Sequence, residues 1–146
     1  MKSIITTRTI EAPLEFVFET ISDVRNFRKA VPQIIKIEFL TDQQQGVGTR
    51  SRETRMMNGS EQTVDLEVAE LVENQYVRMV SDAGGTIWDT LFKVSPSDGG
   101  VELTMQMDVK PYTLFARIMN FFIRGVVVKA VARDMDSVKS FCESAS

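Results

Sequence analysis

Thr49-Arg50-Ser51-Arg52-Glu53-Thr54-Arg55-Met56-Met57 and Ser60-Glu61-Gln62-Thr63-Val64-Asp65-Leu66-Glu67-Val68-Ala69-Glu70-Leu71 flank the dipeptide Asn58-Gly59. Asn-Gly between two alternating stretches is the strongest short-range mark of a two-residue hairpin loop, because both residues tolerate positive φ. The turn sets the register. Met57 then faces Ser60, and counting outward puts Arg52 opposite Asp65 and Arg50 opposite Glu67. The other face carries Ser51 with Leu66, Glu53 with Val64 and Thr49 with Val68. Charges pair on one face and the other is mostly apolar, as an antiparallel sheet wetted on one side requires.

The count extends to later strands. A turn centred on Ala83-Gly84 would join 76–81 to 86–95, with Arg78 opposite Asp89 and Met79 opposite Trp88. The Pro96-Ser97-Asp98-Gly99 loop leads to 101–109, with Lys93 opposite Glu102, Phe92 opposite Leu103 and Thr90 opposite Met105. A link through Glu73-Asn74 sets Val68 opposite Met79. Before this meander come a strand over 3–11 and two short helices. The first starts at Pro13, whose missing N–H is tolerated there, and the second is capped by Ser22 or Asp23 and ends before Pro32. Strand alternation resumes over 34–40, with Ile35, Ile37 and Phe39 on one side and Lys36 and Glu38 on the other. The sum is seven strands and two helices, followed by a helical stretch over 113–143.

In that last stretch the apolar face moves. At about 100° per residue, Phe115, Ile118, Met119, Phe122 and Val126 share one side, while Val127, Val131, Met135, Val138 and Cys142 centre on a different one. A straight helix cannot bury both groups against one surface. A kink or break is therefore expected at Arg124-Gly125. The later segment, with Lys129, Arg133, Asp136 and Lys139 turned to solvent, is expected to fill the concave side of the sheet. The earlier segment should lie across one end. Its aromatic residues either close a cavity as a lid or stand exposed as a homodimer or membrane-surface contact through Phe115, Phe121 and Phe122.

Composition narrows the function. The 146 residues suit a single domain over 1–146, with enough chain to bury a sizeable core. A net charge of −3 argues against nucleic acid as a partner. The charged N-terminus holds no signal-peptide core, and no stretch is long and apolar enough for a transmembrane segment, so a cytoplasmic location is expected. The absence of histidine removes Ser-His-Asp and Cys-His chemistry and any His-containing metal site. Gly46-Val47-Gly48 lacks the further glycine and helix of a dinucleotide loop. No cofactor and no metal is therefore predicted. Cys142, the single cysteine, reads as a small buried hydrophobe.

Ile10-Glu11-Ala12-Pro13 with Glu15, Val17 and Phe18, then Ile21-Ser22-Asp23 with Phe27, then Val31-Pro32, resembles the N-terminus of the START-like superfamily, also called SRPBCC, in its polyketide cyclase/dehydrase-like branch. The resemblance implies an α+β helix-grip fold, in which a seven-stranded curved antiparallel sheet wraps a long C-terminal helix around a cavity. Members of the superfamily include lipid and hormone carriers, cyclases and ubiquinone-binding proteins. No catalytic residue of those proteins can be matched here, so no activity is carried over.

Side-chain parity supplies a lining for the expected cavity: Leu66, Val68, Met79, Trp88, Thr90, Phe92, Met105 and Met107 from the sheet, Val127 and Val131 from the later helix, and Phe122 from the earlier one. The expected guest is a hydrophobic or amphipathic small molecule such as a lipid, isoprenoid or polyketide, bound or transported. Glu53 and Arg55 point inward near the hairpin tip, where they should pair with each other, with a ligand head group or with water. Three function classes follow. The first is a carrier, the second a cyclase or dehydratase with Glu53 as general base, and the third a protein or membrane interaction module.

Overall fold

A computed structural model describes residues 3–145. Its elements are β1 (Ile4–Ile10), α1 (Leu14–Ser22), α2 (Val24–Ala30), β2 (Ile34–Phe39), β3 (Arg50–Met57), β4 (Ser60–Val72), β5 (Tyr76–Ala83), β6 (Thr86–Ser97), β7 (Gly100–Pro111) and α3 (Leu114–Ala145). The strands form one antiparallel sheet in the order β1-β7-β6-β5-β4-β3-β2. This is the expected helix-grip α+β architecture. The α1–α2 pair connects the two edge strands, with Asp23 capping α2 by accepting from the Arg25 N–H at 2.9 Å.

The Asn58-Gly59 hairpin has the register read from the sequence. Arg50 lies opposite Glu67, Arg52 opposite Asp65 and Glu53 opposite Val64. Both turn residues have positive φ, 51° and 80°. On the outer face the Arg52 guanidinium donates to both Asp65 oxygens at 2.8 and 3.1 Å.

The β5–β6 and β6–β7 hairpins differ from the sequence count by two residues. Arg78 is opposite Leu91 and Met79 opposite Thr90, because the turn uses Gly84-Gly85, both at positive φ, instead of Ala83-Gly84. A primed turn needs positive φ twice, which alanine resists. Likewise Phe92 meets Met105 and Lys93 meets Thr104, with the loop at Asp98-Gly99. A slip of two leaves every side chain on its face, whereas a slip of one would invert them all. Arg78 therefore still reaches Asp89, now diagonally, donating at 2.8 and 2.6 Å. Val68 does lie opposite Met79, and a bulge beyond it absorbs one residue before the turn. A second bulge after Ile34 turns Ile35 outward, leaving Ile34, Ile37 and Phe39 opposite Arg55, Glu53 and Ser51. Ile35 thus departs from the predicted alternation.

The core lies between the sheet's inner face and the last third of α3. Val138 and Cys142 are wholly buried, with Val131 and Met135 nearly so, against Val77, Phe92, Leu103 and Met105. Phe16 of α1 stacks on Phe141 at 6.1 Å between ring centres. The predicted break at Arg124-Gly125 does not occur, and α3 runs unbroken for 32 residues. One continuous helix must then choose between two apolar faces. It buries the later group and leaves the earlier one in solvent, with Phe115, Phe121 and Phe122 exposed by 71%, 78% and 72%. These rings do not form a closed lid. No helix among the described residues is long and apolar enough to cross a membrane.

Candidate functional site

Two features on the concave side stand apart from ordinary core. The first is charged. Strand β3 alternates, so Glu53 and Arg55 both face inward, and α3 places Asp134 against them. The Arg55 Nη1 donates to both Asp134 oxygens at 3.2 and 3.1 Å, and its Nε lies 3.4 Å from a Glu53 oxygen. Glu53 is 7% exposed. Burial pushes the Glu53 carboxyl above its usual range, with Arg55 opposing the shift and the Asp134 charge adding to it. Burial likewise raises Asp134 against the pull of Arg55. The cost of burying Arg55 is outweighed by the two carboxylates, which hold it protonated. One cation thus serves two desolvated acids, an arrangement able to take up or release a proton or to hold a polar head group.

The second feature is apolar. Between the first half of α3 and the sheet lies a cleft of about 270 Å³, lined by Ile4, Trp88, Val109, Pro111, Arg117, Asn120, Phe121, Ile123, Arg124 and Val127. Its floor is hydrophobic, while Arg117 and Arg124 are exposed and Asn120 is half-buried. The Asn120 amide donates to Thr86 Oγ1 at 3.1 Å, which ties the helix to β6. Ser81, directly opposite Trp88 in the register, is buried, and its Oγ has no hydrogen-bond partner among the described residues. A larger depression of about 720 Å³ on the outer side of α3, lined by Lys129, Arg133, Asp136 and Ser140 among others, is open to solvent. It gathers no buried polar cluster.

The residues predicted from parity divide between these environments. Trp88 and Val127 line the cleft. Val68, Met79, Phe92, Met105 and Val131 pack into the core cluster, and Met107 packs against it. Leu66 and Thr90 are half-buried on the same face. Phe122 points away from the cleft, and its neighbour Phe121 lies at the opening. Glu53 and Arg55 do pair, but neither lines the cleft. Sequence reasoning missed Asp134, Asn120 and Ser81. Asp134 follows Val131 by three and precedes Val138 by four, which puts it on the buried stripe, and an acidic residue there is the signal that could have found it. No group of three or more metal-ligating side chains is present among the described residues.

The model of the family described as polyketide cyclase / dehydrase and lipid transport matches residues 1–143. Among solved structures, TTHA0849 from Thermus thermophilus is 17% identical with a TM-score of 0.80, the match covering 99% of both chains. Ara h 8.0201 is 16% identical over 98% of each chain, with a TM-score of 0.74. The di-domain ARO/CYC StfQ from the steffimycin biosynthetic pathway is 10% identical with a TM-score of 0.78, over 98% of this chain and 51% of that one. At such identities the likeness is one of fold. No curated protein sequence matches.

Proposed function

This chain belongs to the polyketide cyclase/dehydrase and lipid transport family, and from that premise we propose that it binds a hydrophobic or amphipathic small molecule between α3 and the sheet. The observation that carries this reading is the cleft beneath the first half of α3. It joins an apolar floor of Ile4, Trp88, Val109 and Val127 to a polar edge of Asn120, Arg117 and Arg124. Apolar pockets with a few placed polar groups are the usual form of a small-molecule site. At about 270 Å³ the cleft takes part of a lipid, isoprenoid or polyketide chain, and the rest would extend past Phe121.

Trp88 is the only tryptophan, so its fluorescence reports directly on the cleft. Titration with oleate, a farnesyl alcohol and an aromatic polyketide should shift its emission saturably for at least one ligand, and that ligand should raise the melting temperature. Val127→Phe, which fills the cleft without adding a second tryptophan, should abolish binding while the protein stays folded. Unaltered emission with every ligand, together with no co-purifying molecule by native mass spectrometry, would sink the proposal.

A second reading is favoured by the raised Glu53 carboxyl. A carboxyl held above its usual range by burial is a better general base than a free one, as a cyclisation or dehydration would need. Glu53→Gln should then abolish turnover of a bound substrate and leave binding intact. Unchanged turnover removes the assignment.

A further inference from the structure

The exposed face of the first half of α3 combines two properties rarely left in water together. Phe115, Ile118, Met119, Phe122 and Val126 recur at helical spacing on one side, each an exposed large hydrophobic, with Leu114 and Phe121 beside them. A contiguous apolar patch of this kind marks an interaction surface. The charges that this stretch of chain itself carries share one sign. From Val109 to Arg133 the chain carries Lys110, Arg117, Arg124, Lys129 and Arg133 and not one acidic residue, in a protein of net charge −3. Lys129 and Arg133, which continue the stripe three and seven residues beyond Val126, are exposed and form no ion pair among the described residues. The outer-face arginines differ in this respect, since Arg52 and Arg78 are paired with carboxylates.

We propose that this helix face docks the protein onto an anionic lipid bilayer surface, with the aromatic side chains entering the interface and Lys129 and Arg133, on the same side of the helix, meeting the headgroups. The charge decides between occupants. A second copy of the chain would bring the same cations face to face, whereas a bilayer with negative headgroups complements them. Apolar residues followed along the same side of a helix by basic ones suit an interfacial helix, and Phe121 and Phe122 meet edge-on at 5.5 Å as one wedge. The placement matters because Phe121 also stands at the edge of the cleft, so docking would bring that edge to the lipid. Docking does not require that anything bind in the cleft, so either idea can fail alone.

The test is vesicle co-sedimentation of the ligand-free protein. Phosphatidylcholine vesicles containing phosphatidylserine should pellet the protein, and phosphatidylcholine alone should not. Rising salt should weaken binding, because exposed charges are screened. Phe121→Ser with Phe122→Ser should abolish pelleting. Lys129→Glu with Arg133→Glu should weaken it by at least about tenfold. All four side chains are exposed, so both variants should keep the wild-type melting temperature, which shows that any loss is not unfolding. Equal binding to both vesicle types, binding to neither, or a solution dimer that the Phe121/Phe122 change dissociates would each overturn the proposal.

Discussion

Replacing Arg55 by methionine removes the single cation shared by Glu53 and Asp134 while keeping most of the side chain's apolar stem. At an effective dielectric of about 20, opposite charges 3.1 and 3.4 Å apart attract by about 5 kcal/mol each before desolvation is subtracted. Much of that attraction offsets the cost of burying the guanidinium itself. Breaking a buried pair from one side typically costs about 3 to 5 kcal/mol, and side chains still 10% to 16% exposed place this one near about 3 kcal/mol at pH 7. The pH dependence is the sharper test. Both carboxyls already titrate above their usual range in the folded protein, and loss of Arg55 raises them further. An acid with a raised folded pKa makes the folded state bind more protons than the unfolded chain, so stability falls as pH rises through the interval between the two values. The deficit of Arg55→Met should therefore be small near about pH 4 and grow toward pH 7. Denaturant unfolding at several pH values measures it. A deficit independent of pH, or below about 1 kcal/mol at pH 7, would refute the argument by showing that water already solvates the two acids.

Gly125 lies within the unbroken helix, and a Cβ there meets nothing within 4 Å. Gly125→Ala should stabilise the protein by about 0.5 to 1 kcal/mol in thermal unfolding, and a loss of stability would mean that the glycine serves a bend. Gly100 is the opposite case, because its φ is 134° and an added Cβ would sit 2.1 Å from the Ile10 carbonyl oxygen on the neighbouring strand. Gly100→Ala should cost at least about 2 kcal/mol in denaturant unfolding. On the outer face, hydrogen bonds from Arg78, joined by Lys110, hold the Asp89 carboxyl below its usual range. That contribution is present above the ordinary carboxylate pKa and is lost as pH falls through the depressed one. Asp89→Asn should cost about 1.5 kcal/mol at pH 7 and flatten the acid limb of the stability profile, and an unchanged acid limb would count against the pairing.

Much of the fold was legible because β-sheet information is local and binary. The Asn58-Gly59 turn set one register, and alternation sorted the later strands even where the turns were placed one residue early and the pairing shifted by two. Where a bulge intervened, as at Ile35, the sequence carried no mark of it, because a bulge answers to the neighbouring strand. The charged cluster was half legible. Glu53 and Arg55 are two residues apart on one strand, but their third partner, Asp134, lies 79 residues beyond Arg55. The cleft was less legible still. Parity places a side chain on a face without saying whether the space before it is filled, and most of the inward lining is packed core.

The chain on its own determined which side chains face inward, since that depends only on period-two alternation and the conformational needs of turns. It also showed that the last helix carries two apolar faces at odds with each other. Only the tertiary structure decided between them. A continuous backbone hydrogen-bond ladder through Gly125 holds the helix together, so the sheet can cover one face and must leave Phe115, Phe121 and Phe122 to water.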